Sequence, residues 1–371
     1  MQTELDVLYG SRLIGKLIKD ERGRCAFSYA KSWLLDGFSI SPISLPLSEK
    51  VFVADPIKFE GIFGVFHDSL PDGWGTLTAI KALRKQGVSY LDLPPLERLC
   101  YLGQDALGAL CYRPSLGGTR ANIDEDYDSI ALSMMKLIED ESTDLDTLFA
   151  LSGSTGGARP KGHMLVNDEE WIVKFRTKTD PLWIGRMEYD YALAAKEAGI
   201  DVPDVALFPS SLCEGYFAVK RFDRKGGKRI HVISLSGLLE SPHDQPFLDY
   251  VAYLQATAFV CKSEEQVLKA FRLACFNVLA HNLDDHAKNF AFLFDEQRKA
   301  YVVSPAFDLT FTPNQKVHEM TCAGEELPTE ENLRKLYRAV HLPSKKAEAI
   351  IREVRSVVYR RLGIYLDTLK A

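Results

Sequence analysis

The chain has 371 residues, 46% hydrophobic and 26% charged, enough to bury one large core or two to three lobes. Its formal net charge of −6 gives no general attraction for nucleic acid or an anionic membrane, and no apolar run approaches the ~20 residues of a membrane helix. The seven cysteines are scattered without a Cys-x-x-Cys, and Met1–Asp6 has neither a basic nor an apolar leader character. A cytoplasmic protein with reduced thiols and no signal peptide is expected.

The first thirty residues predict strands at Leu5–Tyr9, Arg12–Ile18 and Arg24–Tyr29, joined by Gly10-Ser11 and Asp20–Gly23, with proline-broken extended pieces through Leu47. Helices are expected at Thr76–Arg84 and Pro95–Tyr101, and Ser115–Asp128, rich in Gly, Asn and Asp, is a linker candidate. Asp128–Glu139 carries Ile130, Met134, Met135, Leu137 and Ile138 at helical spacing. A hairpin is expected from His163–Val166 and Trp171–Phe175, then a helix over Met187–Ala198 closed by Gly199, then a strand over Gly215–Phe222. From about residue 230 the chain reads as mostly helical. Ser263-Glu-Glu-Gln266 forms a capping-box pattern that opens a helix running to Leu279. Phe290–Phe294 and Tyr301–Val303 then predict a hairpin. The basic excess from Arg334 to Arg361 reads as a solvated helix face.

The chemistry concentrates after that long helix, in Leu279-Ala-His-Asn-Leu-Asp-Asp-His-Ala-Lys-Asn-Phe290, with Asp308 beyond the hairpin. Asp284 and Asn289 stand five positions apart, the Asp-to-Asn spacing of a protein-kinase catalytic loop. Phosphoryl transfer needs a carboxylate to take the hydroxyl proton, plus oxygen ligands for Mg²⁺ on the phosphates. Asp284 as base, with Asn289 and Asp308 as metal ligands, supplies that set. The competing reading is turn chemistry: Asn282, Asp284, Asp285 and Asn289 capping a helix end. A zinc site at His281 and His286 lacks a Cys partner or a His-Glu-x-x-His frame.

Nucleotide phosphates need their own partners. Gly153, Gly156 and Gly157, around Ser154 and Thr155, form a loop whose backbone can approach phosphate; a plain flexible turn is the alternative. It is neither a Walker A loop nor Gly-x-Gly-x-x-Gly, since Lys161 follows Arg159-Pro160. Lys174, inside a strand, resembles the lysine of Val-Ala-Ile-Lys, against the alternative of an edge-strand lysine in water. Glu188, in the next helix, would pair with it or be a solvated helix charge. Val219-Lys220-Arg221-Phe222 stands where a chain crossing between lobes would meet adenine, through Lys220 and Phe222.

Four segments carry a family resemblance: Gly156-Gly-Ala-Arg-Pro-Lys161, Arg221-Phe-Asp-Arg224, Asn282–Asn289 and Pro305-Ala-Phe-Asp308. With them the chain resembles the HipA-type serine/threonine kinases of bacterial toxin–antitoxin modules. Phe38–Leu47 and Leu70-Pro-Asp72 resemble that family's N-terminal subdomain. The resemblance implies an α+β, two-lobed protein-kinase-like fold. Its parts would be a β-rich N-terminal subdomain (1–115), a small lobe with the Gly-rich loop (116–222) and a helical large lobe with the catalytic loop (223–371). It implies ATP and Mg²⁺ as cofactors, Lys174 on ATP, and His286 and Lys288 lining the loop. It also implies autophosphorylation at Ser154, with Ser152 a second candidate. Implied partners are a small helix-turn-helix, HipB-like antitoxin, operator DNA through it, and a protein substrate such as an aminoacyl-tRNA synthetase. Rival functions are a small-molecule kinase, which would not phosphorylate itself, and a non-catalytic co-repressor, which would have lost a base or metal ligand.

Overall fold

A computed structural model describes residues 4–19, 24–102, 106–116, 126–140, 143–153, 156–242 and 248–370. The chain divides into two compact units: Met1–Gly185 with Ala206–Ile233 and Gly237–Ser241, and Arg186–Val205 with Ser234–Ser236 and Pro242–Ala371.

The described residues of the first unit hold a five-stranded sheet, a four-stranded sheet and the small hairpin Arg224–Lys225 and Lys228–Arg229. Alternating apolar residues build the N-terminal sheet, Leu5 with Val7 and Cys25 with Phe27, and Ile14 and Leu17 are buried with them. Its five strands run Phe52–Val53, Cys25–Tyr29, Arg12–Lys19, Glu4–Tyr9 and Leu110–Arg113 in spatial order. Where extended chain is expected after Tyr29, Lys31–Asp36 is a short helix. Trp33 buries its indole there, donating Nε1 to Phe38 O at 2.9 Å, a local contact that overrides the proline-rich pattern downstream.

The second sheet orders Lys161–Val166, Glu169–Lys174, Tyr216–Lys220 and Val205–Phe208. Asn167 and Asp168, both at positive φ (51° and 61°), make the two-residue turn of its hairpin, with the backbone twist such turns favour. Helices Gly73–Lys85, Tyr127–Ile138 and Leu145–Ser152 contribute to a core with this sheet, through Trp74, Met134, Leu148, Leu151, Met164, Val173 and Phe175. Tyr127–Ile138 is capped by Asp126, whose side chain accepts from Ser129 N. Most of the expected linker, 117–125, lies outside the described residues.

In the second unit, helices Tyr250–Cys261, Glu264–Leu279, Glu330–Ala339 and Ser344–Leu366 accompany the hairpin Ala291–Asp295 and Ala300–Val303. The helix expected at Met187 begins earlier, at Ile184, and ends at Glu197. Only half of the capping box forms. Ser263 Oγ accepts from Gln266 N at 3.5 Å, while the Gln266 side-chain oxygen accepts from Val303 N at 2.8 Å and ties the helix to the hairpin instead. The basic C-terminal face is largely spent on ion pairs within the unit: Arg334 with Glu348, Arg355 with Glu330, Lys346 with Glu264 and Arg361 with Glu197. Among the described residues no helix is long and apolar enough to cross a membrane. All seven cysteines are free thiols, five of them buried.

Candidate active site

The candidate catalytic loop begins where the helix Glu264–Leu279 ends. Ala280 N still bonds to Phe276 O, and then His281 takes a left-handed backbone (φ 54°) that turns the chain away. Two neighbouring aspartates meet opposite fates there. The Asp285 side chain is wholly buried and accepts from every side: Tyr250 Oη at 2.6 Å, His318 Nδ1 at 2.7 Å, Glu319 N at 2.9 Å and Met320 N at 3.4 Å. Tyr250 in turn accepts from Asn277 Nδ2, and Asn282 Nδ2 donates to Asn277 Oδ1, both at 3.0 Å. Thr312 and Gln315 bond the backbone of Leu283. A buried carboxylate with full hydrogen bonding fixes a backbone firmly.

Asp284 is carried on that anchored segment with its side chain half exposed, His286 Nε2 at 3.9 Å from its carboxylate. Asn289, closing the short turn Ala287–Asn289, donates Nδ2 to Asp284 O at 2.8 Å. That bond uses the amide nitrogen, leaving the carboxamide oxygen as the atom a hard cation would take. Asp308 is half-buried at φ 53°, a left-handed conformation uncommon outside glycine and met at sites that must aim a side chain. These oxygen donors fit Mg²⁺, which takes one or two protein carboxylates and shares the rest of its shell with phosphate and water. Among the described residues no three His, Cys, Asp or Glu side chains converge on a metal position. Turn chemistry is also present, in Asp285, Asn282 and the Asn289 amide nitrogen, and it leaves the Asp284 side chain half exposed.

The phosphate-side candidates of the first unit are equally specific. Glu169–Lys174 has strands on both sides, so Lys174 is not an edge-strand lysine. It is half-buried, with Nζ 5.6 Å from the centre of the Phe217 ring. Directly opposite it in register is Lys161, a residue set aside on sequence grounds, which is only 6% exposed. A Cβ placed on Gly157 would lie 2.8 Å from the Lys161 Nζ, so this ammonium sits against the glycine loop. Gly156 and Gly157 are exposed, and Gly153 and Gly157 have positive φ (51° and 79°). Ser154 and Thr155 lie outside the described residues.

Ser152 departs from the expectation of a phosphorylatable hydroxyl. It sits in the last turn of Leu145–Ser152, fully buried, donating to Leu148 O at 2.7 Å and accepting from Trp74 Nε1 at 2.8 Å. Glu188, in the second unit, is 3% exposed and so is not a solvated helix charge. The Lys220 ammonium is held by Glu169 at 2.5 Å, and Phe222 is half-buried. The flanking motif is structural. Arg221 grips Asp223 bidentately at 2.9 and 2.7 Å, Arg224 adds a bond at 2.7 Å, and Asp223 accepts from Gly108 N at 2.7 Å. Burial works to raise the Asp223 carboxyl, but the two guanidiniums outweigh it and hold the group well below the usual carboxylate range.

Residues 153–361 match the HipA-like C-terminal domain, and residues 5–113 match the HipA N-terminal domain. Over 350 residues the chain is 27% identical to "Putative kinase Y4mE" of Sinorhizobium fredii, spanning 83% of this chain and 77% of that one. HipA in the Shewanella oneidensis MR-1 complex of HipA, HipB and operator DNA aligns with a TM-score of 0.67 at 21% identity, over 97% of both chains. The Helicobacter pylori proinflammatory kinase CtkA aligns with a TM-score of 0.38 at 14% identity, over 54% of this chain and 89% of its own. The fold is thus the α+β fold of HipA. Within that class, the chain belongs to the HipA-type kinase family.

Proposed function

We propose that this protein is an ATP- and Mg²⁺-dependent serine/threonine protein kinase, the toxin of a two-component module. The observation that carries it is the pairing of a half-exposed Asp284 with the buried, fully bonded Asp285 that anchors its loop, five residues before Asn289. Asp284 accepts the proton of the attacking hydroxyl. Asn289 and Asp308 would hold Mg²⁺, which when bound would supply positive charge beside the phosphates. In the first unit, Lys174, with Lys161 against the glycine loop, Lys220 and Phe222 are the nucleotide-binding candidates; in the second, they are Glu188, His286 and Lys288. Rate then comes from positioning and charge stabilisation rather than covalent chemistry.

Ser154 is the proposed site of self-phosphorylation, since Ser152 has its hydroxyl buried and bonded. The HipB and operator DNA of the Shewanella complex support a HipB-like antitoxin, with DNA reached through it. A translation component such as an aminoacyl-tRNA synthetase is the proposed protein substrate. The test is Asp284→Asn. Phosphoryl transfer to a protein hydroxyl should fall by orders of magnitude while ATP affinity stays within a few-fold, because the group acts in the transition state. Wild-type turnover in that variant would exclude Asp284 as the base. Transfer to a small-molecule hydroxyl alone, with no phosphoprotein formed, would favour the small-molecule kinase instead.

A further inference from the structure

The motif Leu70-Pro-Asp72 lies far in sequence from every residue given a chemical role above, yet its aspartate touches the glycine loop. Asp72 occupies the N-cap position of the helix Gly73–Lys85. An aspartate there ordinarily accepts a hydrogen bond from the helix's own first turn. Asp72 does not: its side chain makes no capping bond. Instead its Oδ1 accepts from Gly157 N at 2.5 Å, across 85 residues of sequence.

The next contact runs the opposite way. Trp74 N donates to Gly157 O at 2.9 Å, so both backbone groups of Gly157 are held by one short segment. The approach is close enough to dictate residue type. A Cβ on Gly73 would fall 2.3 Å from Gly157 O, and one on Gly156 would fall 2.7 Å from Asp72 Oδ1. Trp74 is itself fixed, 1% exposed in the core, with its indole bonded to Ser152 at the near end of the loop. A helix cap is forgone and two glycine positions are constrained to hold one exposed residue, Gly157.

We infer that Asp72 is a positioning residue for the nucleotide-phosphate loop, setting the Gly156–Gly157 backbone before ATP arrives. This deepens the kinase reading and rests on it. Ligand affinity falls in proportion to the population of the competent conformation, so losing the clasp should appear as weaker nucleotide binding. Asparagine retains a side-chain oxygen for Gly157 N–H; alanine retains nothing.

The experiment compares wild type, Asp72→Ala and Asp72→Asn, each checked for an unchanged circular dichroism spectrum. Amide exchange of a peptide containing Gly157 is followed without nucleotide, and ATP·Mg²⁺ is titrated calorimetrically. Exchange of the Gly157 amide should quicken about tenfold or more in Asp72→Ala, the effect of losing one charge-assisted hydrogen bond, with ATP·Mg²⁺ bound about tenfold more weakly. Asp72→Asn should recover most of both. Unchanged exchange in Asp72→Ala would refute the clasp. Faster exchange with unchanged affinity would refute its role in nucleotide binding, as would an Asp72→Asn variant no better than alanine. If wild type itself failed to bind ATP·Mg²⁺, the kinase reading would fall and this assignment with it, which is distinguishable from a variant that binds as wild type does.

Discussion

Replacing Asp285 by asparagine tests whether the catalytic loop is held from below. Asp285 Oδ2 accepts from Tyr250 and His318, and Oδ1 accepts from two backbone amides. A carboxamide has one oxygen, so whichever way it turns, its NH₂ faces two donors. Two hydrogen bonds to a charged acceptor are lost, at about 1.5–3 kcal/mol each, or about 3–6 kcal/mol together. That is a large share of the ~5–15 kcal/mol that stabilises a domain. Asp284→Asn, at a half-exposed side chain, should change stability by no more than about 0.5 kcal/mol. Urea titrations can separate the two units, because all four tryptophans (Trp33, Trp74, Trp171 and Trp183) belong to the first. Indole fluorescence therefore follows the first unit, while far-UV circular dichroism is dominated by helices, the longest of which lie in the second. Asp285→Asn should lower the circular dichroism midpoint markedly, and Asp284→Asn should leave it in place. A wild-type midpoint for Asp285→Asn, or equal losses in both variants, would refute the assignment of anchor and base.

ATP should raise the thermal midpoint more with Mg²⁺ than with EDTA, by the linkage expected of a ligand that binds only the native state; equal shifts in a thermal melt would remove Asn289 and Asp308 as metal ligands. Incubation with ATP should place phosphate on Ser154 and none on Ser152, and Ser154→Ala should stay unmodified in that region; mass spectrometry finding phosphate on Ser152 would contradict its buried position. Burial pushes the His231 imidazole down to about 4, with Nε2 donating to Ile40 O at 2.8 Å. The fold holds its neutral form, so this contribution is complete above the unfolded value of about 6.5 and is lost as pH falls toward 4. At 1.36 kcal/mol per pH unit it reaches about 3 kcal/mol. His231→Gln should flatten the stability profile between those limits, read by tryptophan fluorescence; an unchanged slope would show that other groups titrate there.

The candidate catalytic segment stands out in the sequence because its residues are local: Asp284, Asn289 and their spacing lie within one short run. What supports that run does not. Tyr250 and His318 stand 35 and 33 residues from Asp285, and nothing in a Tyr or His at those positions announces a hydrogen bond across such distances. Asp72 was legible as a motif but not as a clasp, since an aspartate before a helix reads as its cap. Strands and long helices followed periodicity closely, as in Cys25–Tyr29 and Tyr127–Ile138. The misses fell where a side-chain contact overruled the expected pattern, once over a long sequence separation and once locally. Gln266 turned from its capping box to Val303, and the Trp33 indole closed a helical turn in a segment whose later prolines read as extended.

The free thiols give the second unit a chemical clock. Cys261, Cys275 and Cys322 are all buried there, and burial raises each thiol far above the range in which it would ionise at neutral pH. A thiol-specific reagent can reach them only when the polypeptide around them opens. Cys275 lies in the helix that delivers the catalytic loop, and Cys322 lies just past the residues that bond Asp285. The order in which these three sulfurs become labelled, traced by mass as a function of time, would chart which parts of the unit breathe together and how often, without introducing any foreign group beforehand.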